Sequence, residues 1–156
     1  MNKFEDILNN INPEEKHPND RVLLIDGLNI FLRAFAVNGS LNEKGVPVGG
    51  ITGFMKSLAF AIREMEPTRV IVTYDGAGGS KRRRKIYPEY KATRKVKSRL
   101  NRNVDWGTAP QDEQQSMKQQ MGRLIEYLEQ LPLTLICVDG IEADDTMAYI
   151  SQQLLP

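Results

Sequence analysis

Three short apolar runs in this chain each lead into acidic residues, and this pattern constrains the fold more than any other feature. The runs cover residues 21–26, 69–74 and 133–138, and the acidic residues that end or follow them are Asp26, Asp75, Glu142, Asp144 and Asp145. Short runs rich in β-branched residues and bounded by turn residues are typical of buried parallel strands. The sequence therefore predicts an α/β fold whose strands all end in carboxylates.

Ligands of parallel sheets collect at the carboxyl ends of the strands, so we expect these five carboxylates to meet at one edge. Close carboxylates repel unless cations neutralise them, and oxygen ligands of this kind suit Mg²⁺. Each acidic residue also has a structural explanation. Asp26 or Asp75 alone fits a turn or helix N-cap, and Asp139 with Glu142 fits a capping box. The combination favours a metal site.

Hydrophobic periodicity places helices between the strands. We predict helices over residues 29–36, 50–66, 110–130 and 141–154, and a loop over residues 38–50. The second helix has Ile51, Phe54, Met55, Leu58, Ala59 and Ile62 on one face, and the third has Met117, Met121, Leu124, Ile125, Leu128 and Leu131. Residues 1–20 are predicted to be a flexible arm, and residues 21–156 one domain.

The net charge of +1 conceals two regions of opposite sign. Residues 81–102 contain eleven Lys and Arg against one Glu, a net charge of +10, which leaves −9 on the rest of the chain. A basic segment beside an acidic cluster suggests a polyanion held near metal ions. A solvated charged face is the structural alternative, but Tyr87 and Tyr90 lie within the basic segment and offer stacking surfaces for unpaired bases.

Several classes of site are disfavoured. The single His, His17, and the single Cys, Cys137, leave too few ligands for a usual zinc site and none for a disulfide within the chain. We expect Cys137 to be buried as a free thiol. No phosphate-binding Gly-x-x-x-x-Gly-Lys-Ser/Thr loop occurs. With no signal-peptide pattern or membrane-length apolar run, we predict a cytoplasmic protein.

Four ordered motifs resemble the 5′-to-3′ exonuclease and flap endonuclease family. The first is Leu-Leu-Ile-Asp26-Gly-Leu-Asn29, and the second is the Gly45–Phe54 block. The third is Tyr74-Asp75 followed by Arg83, Tyr87, Tyr90, Lys91 and Arg94, and the fourth is Glu142-Ala-Asp144-Asp145. The resemblance covers about residues 20–155. The short phage ribonuclease H nucleases are the most similar subtype.

The resemblance implies a PIN-like (resolvase-like) parallel sheet flanked by helices, with a basic arch over residues 76–110. It implies a two-metal phosphodiesterase of replication and repair that cuts DNA with 5′ ends or flaps, or the RNA of RNA–DNA hybrids. Mg²⁺ is the expected cofactor, with Mn²⁺ as a substitute. The implied metal ligands are Asp26, Asp75, Glu142 and Asp144, supported by Asp145. Lys91 and Arg83 are the implied catalytic cations. The implied nucleic-acid contacts are Arg33, Arg84, Tyr87, Tyr90 and Arg94.

One part of the family pattern does not follow in this sequence. In the family, a further strand ends in Ser-x-Asp-x-Asp and supplies ligands for the second metal, and a helical motif beyond it holds duplex DNA. We therefore expect the chain to be the N-terminal part of such a nuclease, with an incomplete second metal site and a C-terminal chain that completes it. The alternatives are a non-catalytic nucleic-acid-binding module and a PIN-like ribonuclease that acts on single-stranded RNA.

Overall fold

The computed structural model describes residues 17–91, 99–106 and 110–154. They form three strands and five helices in the order β1 (Val22–Asp26), α1 (Gly27–Val37), α2 (Gly49–Met65), β2 (Arg69–Asp75), α3 (Lys81–Ile86), α4 (Pro110–Leu128), β3 (Thr134–Val138) and α5 (Ala143–Leu154). Residues 1–16 of the predicted arm and residues 92–98 and 107–109 of the predicted arch lie outside the described residues. No helix in the described ranges is both long and apolar enough to cross a bilayer.

The three strands form one parallel sheet in the order β1-β2-β3. Ile25 pairs in register with Val72, and these two side chains face the layer formed by α1, α2 and α4. Helix α5 packs against β1 and β2. The prediction of a parallel α/β sheet flanked by helices is confirmed.

The hydrophobic core lies between the sheet and helices α1, α2 and α4. Its fully buried side chains include Phe31, Phe35, Phe54, Leu124 and Leu128, together with Val72 of the central strand. The ring of Phe35 stacks between those of Phe31 and Trp106, at centroid distances of 5.9 and 5.7 Å. Burying side chains of this size contributes about 1.5–3 kcal/mol each. The core therefore fixes β1 and β2, whose ends carry Asp26 and Asp75.

Segment 99–106 is anchored to this core by Asn101, which is buried. The Asn101 amide nitrogen Nδ2 donates to the carbonyl oxygens of Phe35 (2.6 Å) and Asn38 (3.1 Å), and its backbone N–H donates to Glu113 (2.6 Å). The Trp106 indole N–H donates to the Asn101 carbonyl oxygen at 2.9 Å. These bonds satisfy carbonyls at the end of α1 and bring the end of the basic segment back to the core.

Some details of the fold differ from the sequence predictions. Helix α3 was not predicted, because its sequence Lys-Arg-Arg-Arg-Lys-Ile has no apolar periodicity. Strand β3 is an edge strand and is largely exposed, so the prediction that Cys137 is buried was wrong. Ile62 and Ala59 of α2 are exposed, so the predicted apolar face is wider than the face that packs.

Candidate metal and nucleic-acid site

Strands β1 and β2 end in aspartates that lie on the same face of the sheet but at different positions along the strand direction. Asp26 pairs in register with Thr73, and Asp75 follows Thr73 by two residues and pairs with Val138. Because side chains alternate along a strand, Asp26, Thr73 and Asp75 share one face. The sequence predicted only that both aspartates lie at the edge where the strands end. The actual stagger of two residues separates them along the strand direction.

An open pocket of about 460 Å³ lies over these strand ends. Its lining combines acidic, basic and apolar side chains from β1, α1, β2, the basic segment, the loop after β3 and α5. The lining residues are Asp26, Leu28, Asn29, Leu32, Arg33, Ala36, Asp75, Tyr90, Lys91, Leu100, Glu142 and Asp144. Four of the five carboxylates singled out in the sequence therefore reach one pocket. Asp145 is outside this lining.

Asp26 and Asp75 both accept hydrogen bonds from backbone N–H groups at helix N-termini. Asp26 Oδ1 accepts from the N–H of Asn29 at 2.9 Å and so caps α1. Asp75 Oδ1 accepts from the N–H of Ala143 at 2.8 Å, at the start of α5. Exposed helix N–H groups and the helix dipole both favour a negative charge at these positions. Both aspartates thus have a structural role, as the capping explanation anticipated, and both still face the pocket.

Glu142 is the most enclosed of these carboxylates, with a side chain only 4% exposed. Its Oε1 accepts from Lys91 Nζ at 2.7 Å, and its Oε2 accepts from the Tyr90 hydroxyl at 3.0 Å and from the Arg83 guanidinium. Burial alone would raise the pKa of Glu142, but the bonds from Lys91 and Tyr90 and the nearby charges hold this pKa below its usual value. The Glu142 side chain is therefore an anion with both oxygens engaged.

Arg83 and Tyr90 extend this network toward α5. Arg83 also donates to Asp145 Oδ1 at 2.6 Å and to the Tyr90 hydroxyl at 2.9 Å, and these bonds, led by the one to Tyr90, raise its pKa further. The Tyr90 ring lies under both cations, 5.6 Å from the Arg83 guanidinium carbon and 5.0 Å from Lys91 Nζ. The hydrogen bond to Glu142 is the main cause that raises the pKa of Lys91.

The glycine-rich turn after β2 brings α3 to this network. The N–H of Gly76 donates to the Ile141 carbonyl oxygen at 2.9 Å, and the N–H of Gly140 donates to the Ala77 carbonyl oxygen at 3.0 Å. A Cβ atom on Gly76 would come within 1.7 Å of the Val138 carbonyl oxygen, so only glycine permits this approach. The loops that follow β2 and β3 are therefore bonded to each other directly beside Glu142.

Tyr74 contributes a hydroxyl that sequence reasoning assigned no role. This hydroxyl is buried and has no hydrogen-bond partner in the described part of the chain. Burial, with a smaller effect from the charge of Asp26, raises the pKa of Tyr74 to about 12. A Cβ on Gly27 would meet the Tyr74 ring at 2.5 Å, so the glycine after Asp26 makes room for the ring.

The other predicted contact residues surround the pocket unevenly. Arg33 lines it from α1, while Arg84 and Tyr87 are exposed outside it, and the Tyr87 hydroxyl donates to Glu89 at 3.1 Å. Arg94 lies outside the described residues. Among residues 17–91, 99–106 and 110–154, no three His, Cys, Asp or Glu side chains are grouped closely enough to hold a metal ion. The chemistry of the donor set suits a hard cation, but the carboxylates are still spread over the pocket.

Comparison with known proteins gives a consistent result. Residues 21–155 match the family model described as 5′-3′ exonuclease, N-terminal resolvase-like domain. DNA polymerase I of Borreliella burgdorferi is 33% identical over 133 residues, which are 83% of this chain and 13% of the polymerase. DNA polymerase I of Thermus aquaticus is 34% identical over 137 residues, 87% of this chain and 14% of the polymerase. A Bacillus subtilis 5′-3′ exonuclease is 36% identical over 81 residues, 49% of this chain and 27% of that protein.

Solved structures share the fold. The T5 5′-exonuclease with bound zinc ions aligns with a TM-score of 0.56 and 18% identity, over 85% of this chain and 44% of that one. A structure of the T5 D15 protein co-crystallised with metal ions aligns with a TM-score of 0.58 and 17% identity, over 84% of this chain and 43% of that one. The chain thus spans less than half the length of the relatives it matches. It belongs to the family of 5′-3′ exonuclease N-terminal, resolvase-like domains.

Proposed function

We propose that this chain supplies the N-terminal part of a divalent-metal-dependent 5′ nuclease that hydrolyses phosphodiester bonds in DNA with 5′ ends or flaps. The observation that carries the proposal is the pocket in which Asp26, Asp75, Glu142 and Asp144 meet Lys91. Carboxylates that could hold cations and a lysine that could hold a phosphate are components suited to metal-dependent hydrolysis of a phosphodiester. RNA–DNA hybrids are the second substrate class in the proposal.

Each residue has a role that fits its position. Asp26, Asp75, Glu142 and Asp144 would hold the metal directly or through water, and Asp145 would support them. Mg²⁺ suits these oxygen ligands and Mn²⁺ can replace it; when bound, the metal activates water and stabilises negative charge on the phosphate. We place a second metal site partly on this chain, to be completed by a C-terminal chain.

The basic residues would orient the substrate. Lys91 lines the pocket, and together with Arg83 it would hold the scissile phosphate and stabilise charge that develops during cleavage. Arg33 and Arg84, with Arg94 in the same role, would contact backbone phosphates on either side, and the exposed ring of Tyr87 could stack on an unpaired base. We place this activity in replication and repair in the cytoplasm of a bacterium or a phage-infected cell, where the DNA substrate is found.

A second candidate function is a binding module that holds nucleic acid without cutting it. The observation that favours it is that no three of the described acidic residues are grouped as a metal cluster, while Glu142 is engaged by Arg83 and Lys91. In this case the basic segment binds phosphates through charge alone, with a steep dependence on salt.

One experiment separates the two functions. A 5′-labelled flap duplex and an RNA–DNA hybrid are incubated with the protein in Mg²⁺, Mn²⁺ or EDTA, and binding is measured on the same preparation. The nuclease proposal predicts cleavage in Mg²⁺ or Mn²⁺ and none in EDTA. Tight binding without cleavage in any metal would reject catalysis by this chain alone, and the binding module would then stand until a C-terminal chain restored cleavage.

A further inference from the structure

Glu142 holds so many hydrogen-bond donors that it has little capacity for another ligand. Lys91 occupies Oε1, while the Tyr90 hydroxyl and the Arg83 guanidinium occupy Oε2. A divalent cation such as Mg²⁺ needs a carboxylate oxygen at about 2.0–2.1 Å and would lie close to both side-chain cations. Two positive side chains and a divalent cation cannot share one nearly buried carboxylate without strong repulsion.

The two cations are held at Glu142 by more than their own ion pairs. Arg83 reaches Asp145 with its second terminal nitrogen at 2.6 Å, and the Tyr90 ring lies beneath both Arg83 and Lys91. The backbone of Lys91 has φ = 58°, in the left-handed region that a lysine rarely adopts. A residue stays in such a conformation only when its surroundings over-determine it, and it costs about 1–3 kcal/mol. Release of Lys91 from Glu142 would allow this strain to relax.

The ion pairs can open without disturbing the loop that supports them. Gly76 and Gly140 bond the loop after β2 to the loop after β3 through backbone groups alone. Arg83 lies beyond this junction, in the six-residue helix α3, and Lys91 follows it. Different contacts therefore hold the two parts of this segment. Backbone hydrogen bonds fix its start, and side-chain ion pairs fix Arg83 and Lys91.

We propose that Arg83 and Lys91 are internal counter-ions of Glu142, and that they and a divalent cation bind this carboxylate in a mutually exclusive way. When a divalent cation binds, it displaces both side chains from Glu142 and frees them for a phosphate. The basic side chains then become available to nucleic acid only after the metal is in place. This inference rests on the proposed function in one respect, the assignment of Glu142 as a metal ligand.

The test measures Mn²⁺ binding to the whole chain by calorimetry, with no nucleic acid present. Arg83→Gln removes one internal counter-ion, and Arg84→Gln is the matched control because it removes the same charge from an exposed neighbour on the same helix. We expect Arg83→Gln to tighten Mn²⁺ binding by about tenfold, since a charge-assisted bond of about 1.4 kcal/mol no longer has to be broken. Arg84→Gln is expected to change the affinity less than about twofold, because its charge is exposed and screened. Arg83→Gln and Arg84→Gln with equal affinities would overturn the proposal.

A second variant and a second readout guard against misfolding. Lys91→Gln is expected to tighten Mn²⁺ binding in the same direction as Arg83→Gln. In EDTA both variants should melt at a lower temperature than the wild type, and saturating Mn²⁺ should remove most of that difference. If the difference persists in Mn²⁺, the ion pairs survive metal binding and the proposal is wrong. No Mn²⁺ binding by the wild type or by either variant would also overturn it.

Failure of this inference and failure of the proposed function give different results. If the protein cleaves in a metal-dependent way but the wild type and Arg83→Gln bind Mn²⁺ equally well, the counter-ion proposal is rejected and the nuclease proposal is retained. Tighter Mn²⁺ binding in Arg83→Gln, without cleavage of flap or hybrid by any variant, supports the internal counter-ions and rejects catalysis by this chain.

Discussion

Asp26 and Glu142 line the same pocket, but they are held there in opposite ways. Asp26 is bonded to the N–H of Asn29, three residues away on its own helix. Glu142 is bonded to side chains that lie 51 to 59 residues earlier in the chain. The first arrangement is local and forms with helix α1. The second depends on the whole basic segment returning to α5. One carboxylate is thus held by its own helix, while the other is held by side-chain cations from a distant part of the sequence.

Lys91→Gln tests the long-range side of this comparison and has the largest expected effect among the variants of the Glu142 network. Because the ammonium group is the only cation of the basic segment that lines the pocket among the described residues, its loss should lower the cleavage rate about 100-fold. Affinity for flap DNA should fall only a fewfold. Single-turnover cleavage and equilibrium binding are measured together, with Lys85→Gln, an exposed lysine on α3, as the control. A loss confined to affinity would reassign Lys91 to general phosphate attraction.

Glu142→Gln tests how much the long-range contacts of Glu142 contribute to the free energy of unfolding. The substitution keeps the shape of the side chain but leaves Arg83 and Lys91 without their shared anion, and it should cost about 1–2 kcal/mol after allowance for the partly exposed cations. Because the pKa of Glu142 is lowered in the folded protein, the wild-type advantage should be complete above pH 4.5 and be lost as the pH falls through the lowered value. Denaturant unfolding at several pH values measures both effects.

A surface ion pair provides the control for that measurement. Glu126 pairs with Arg123 on α4 at 2.6 Å, and both side chains are about 60% exposed. Glu126→Gln should therefore change stability by less than about 0.5 kcal/mol. Equal costs for Glu142→Gln and Glu126→Gln would show that the enclosure of Glu142 has no energetic consequence.

Tyr74→Phe probes the buried surroundings of Tyr74, close to Asp26, at high pH. The pKa of Tyr74 is raised from 10.0 to about 12, so the folded state holds this proton more tightly than the unfolded state. The resulting stability is present below pH 10 and is lost as the pH rises to about 12. Between these pH values the free energy of unfolding should fall by about 1 kcal/mol more for the wild type than for Tyr74→Phe, after discount for the partial exposure of Tyr74. If the free energies of unfolding of the two proteins changed equally with pH over this range, the raised pKa of Tyr74 would be rejected.

Asp26→Ala and Asp26→Asn give the smallest expected effect and separate the cap from the charge. Loss of the N-cap in Asp26→Ala should cost about 1 kcal/mol, while asparagine caps nearly as well as aspartate and should cost only about 0.3 kcal/mol. Thermal unfolding at pH 7 measures both. Equal destabilisation by the two substitutions would mean that the charge of Asp26, and not its hydrogen bond to Asn29, stabilises α1.

This contrast also explains which parts of the molecule could be predicted from the sequence. Strands β1 and β2 and helix α2 were predicted to within about one residue, because apolar periodicity and Pro67 after α2 are local signals. The capping role of Asp26 was among the stated explanations for the same reason. Helix α3 could not be predicted, since it is stabilised by contacts of Arg83 with Glu142 and Asp145 and not by an apolar face.

The arrangement inside the pocket was only partly accessible from the sequence. The motifs indicated which carboxylates share an edge, but not the two-residue stagger between Asp26 and Asp75, which depends on strand register. Tyr90 was expected to stack on bases, and its bonds to Arg83 and Glu142 could not be anticipated without the path of the basic segment. Cys137 is exposed because the helices of the described chain pack mainly against β1 and β2 and leave β3 little covered, which strand composition does not reveal.

The most direct test of the central claim is cleavage of a 5′-labelled flap duplex in Mg²⁺ by the wild type, Asp75→Asn and Asp139→Asn. Asparagine keeps an oxygen for the Ala143 N–H, so Asp75→Asn removes the charge without removing the bond that anchors α5. Asp139 is an exposed carboxylate near the same strand ends and serves as the control. If the pocket is a metal site, Asp75→Asn loses at least about 100-fold in cleavage with DNA binding unchanged or tighter, and Asp139→Asn matches the wild type. Cleavage that survives in Asp75→Asn, or that falls only in step with binding, would contradict the account.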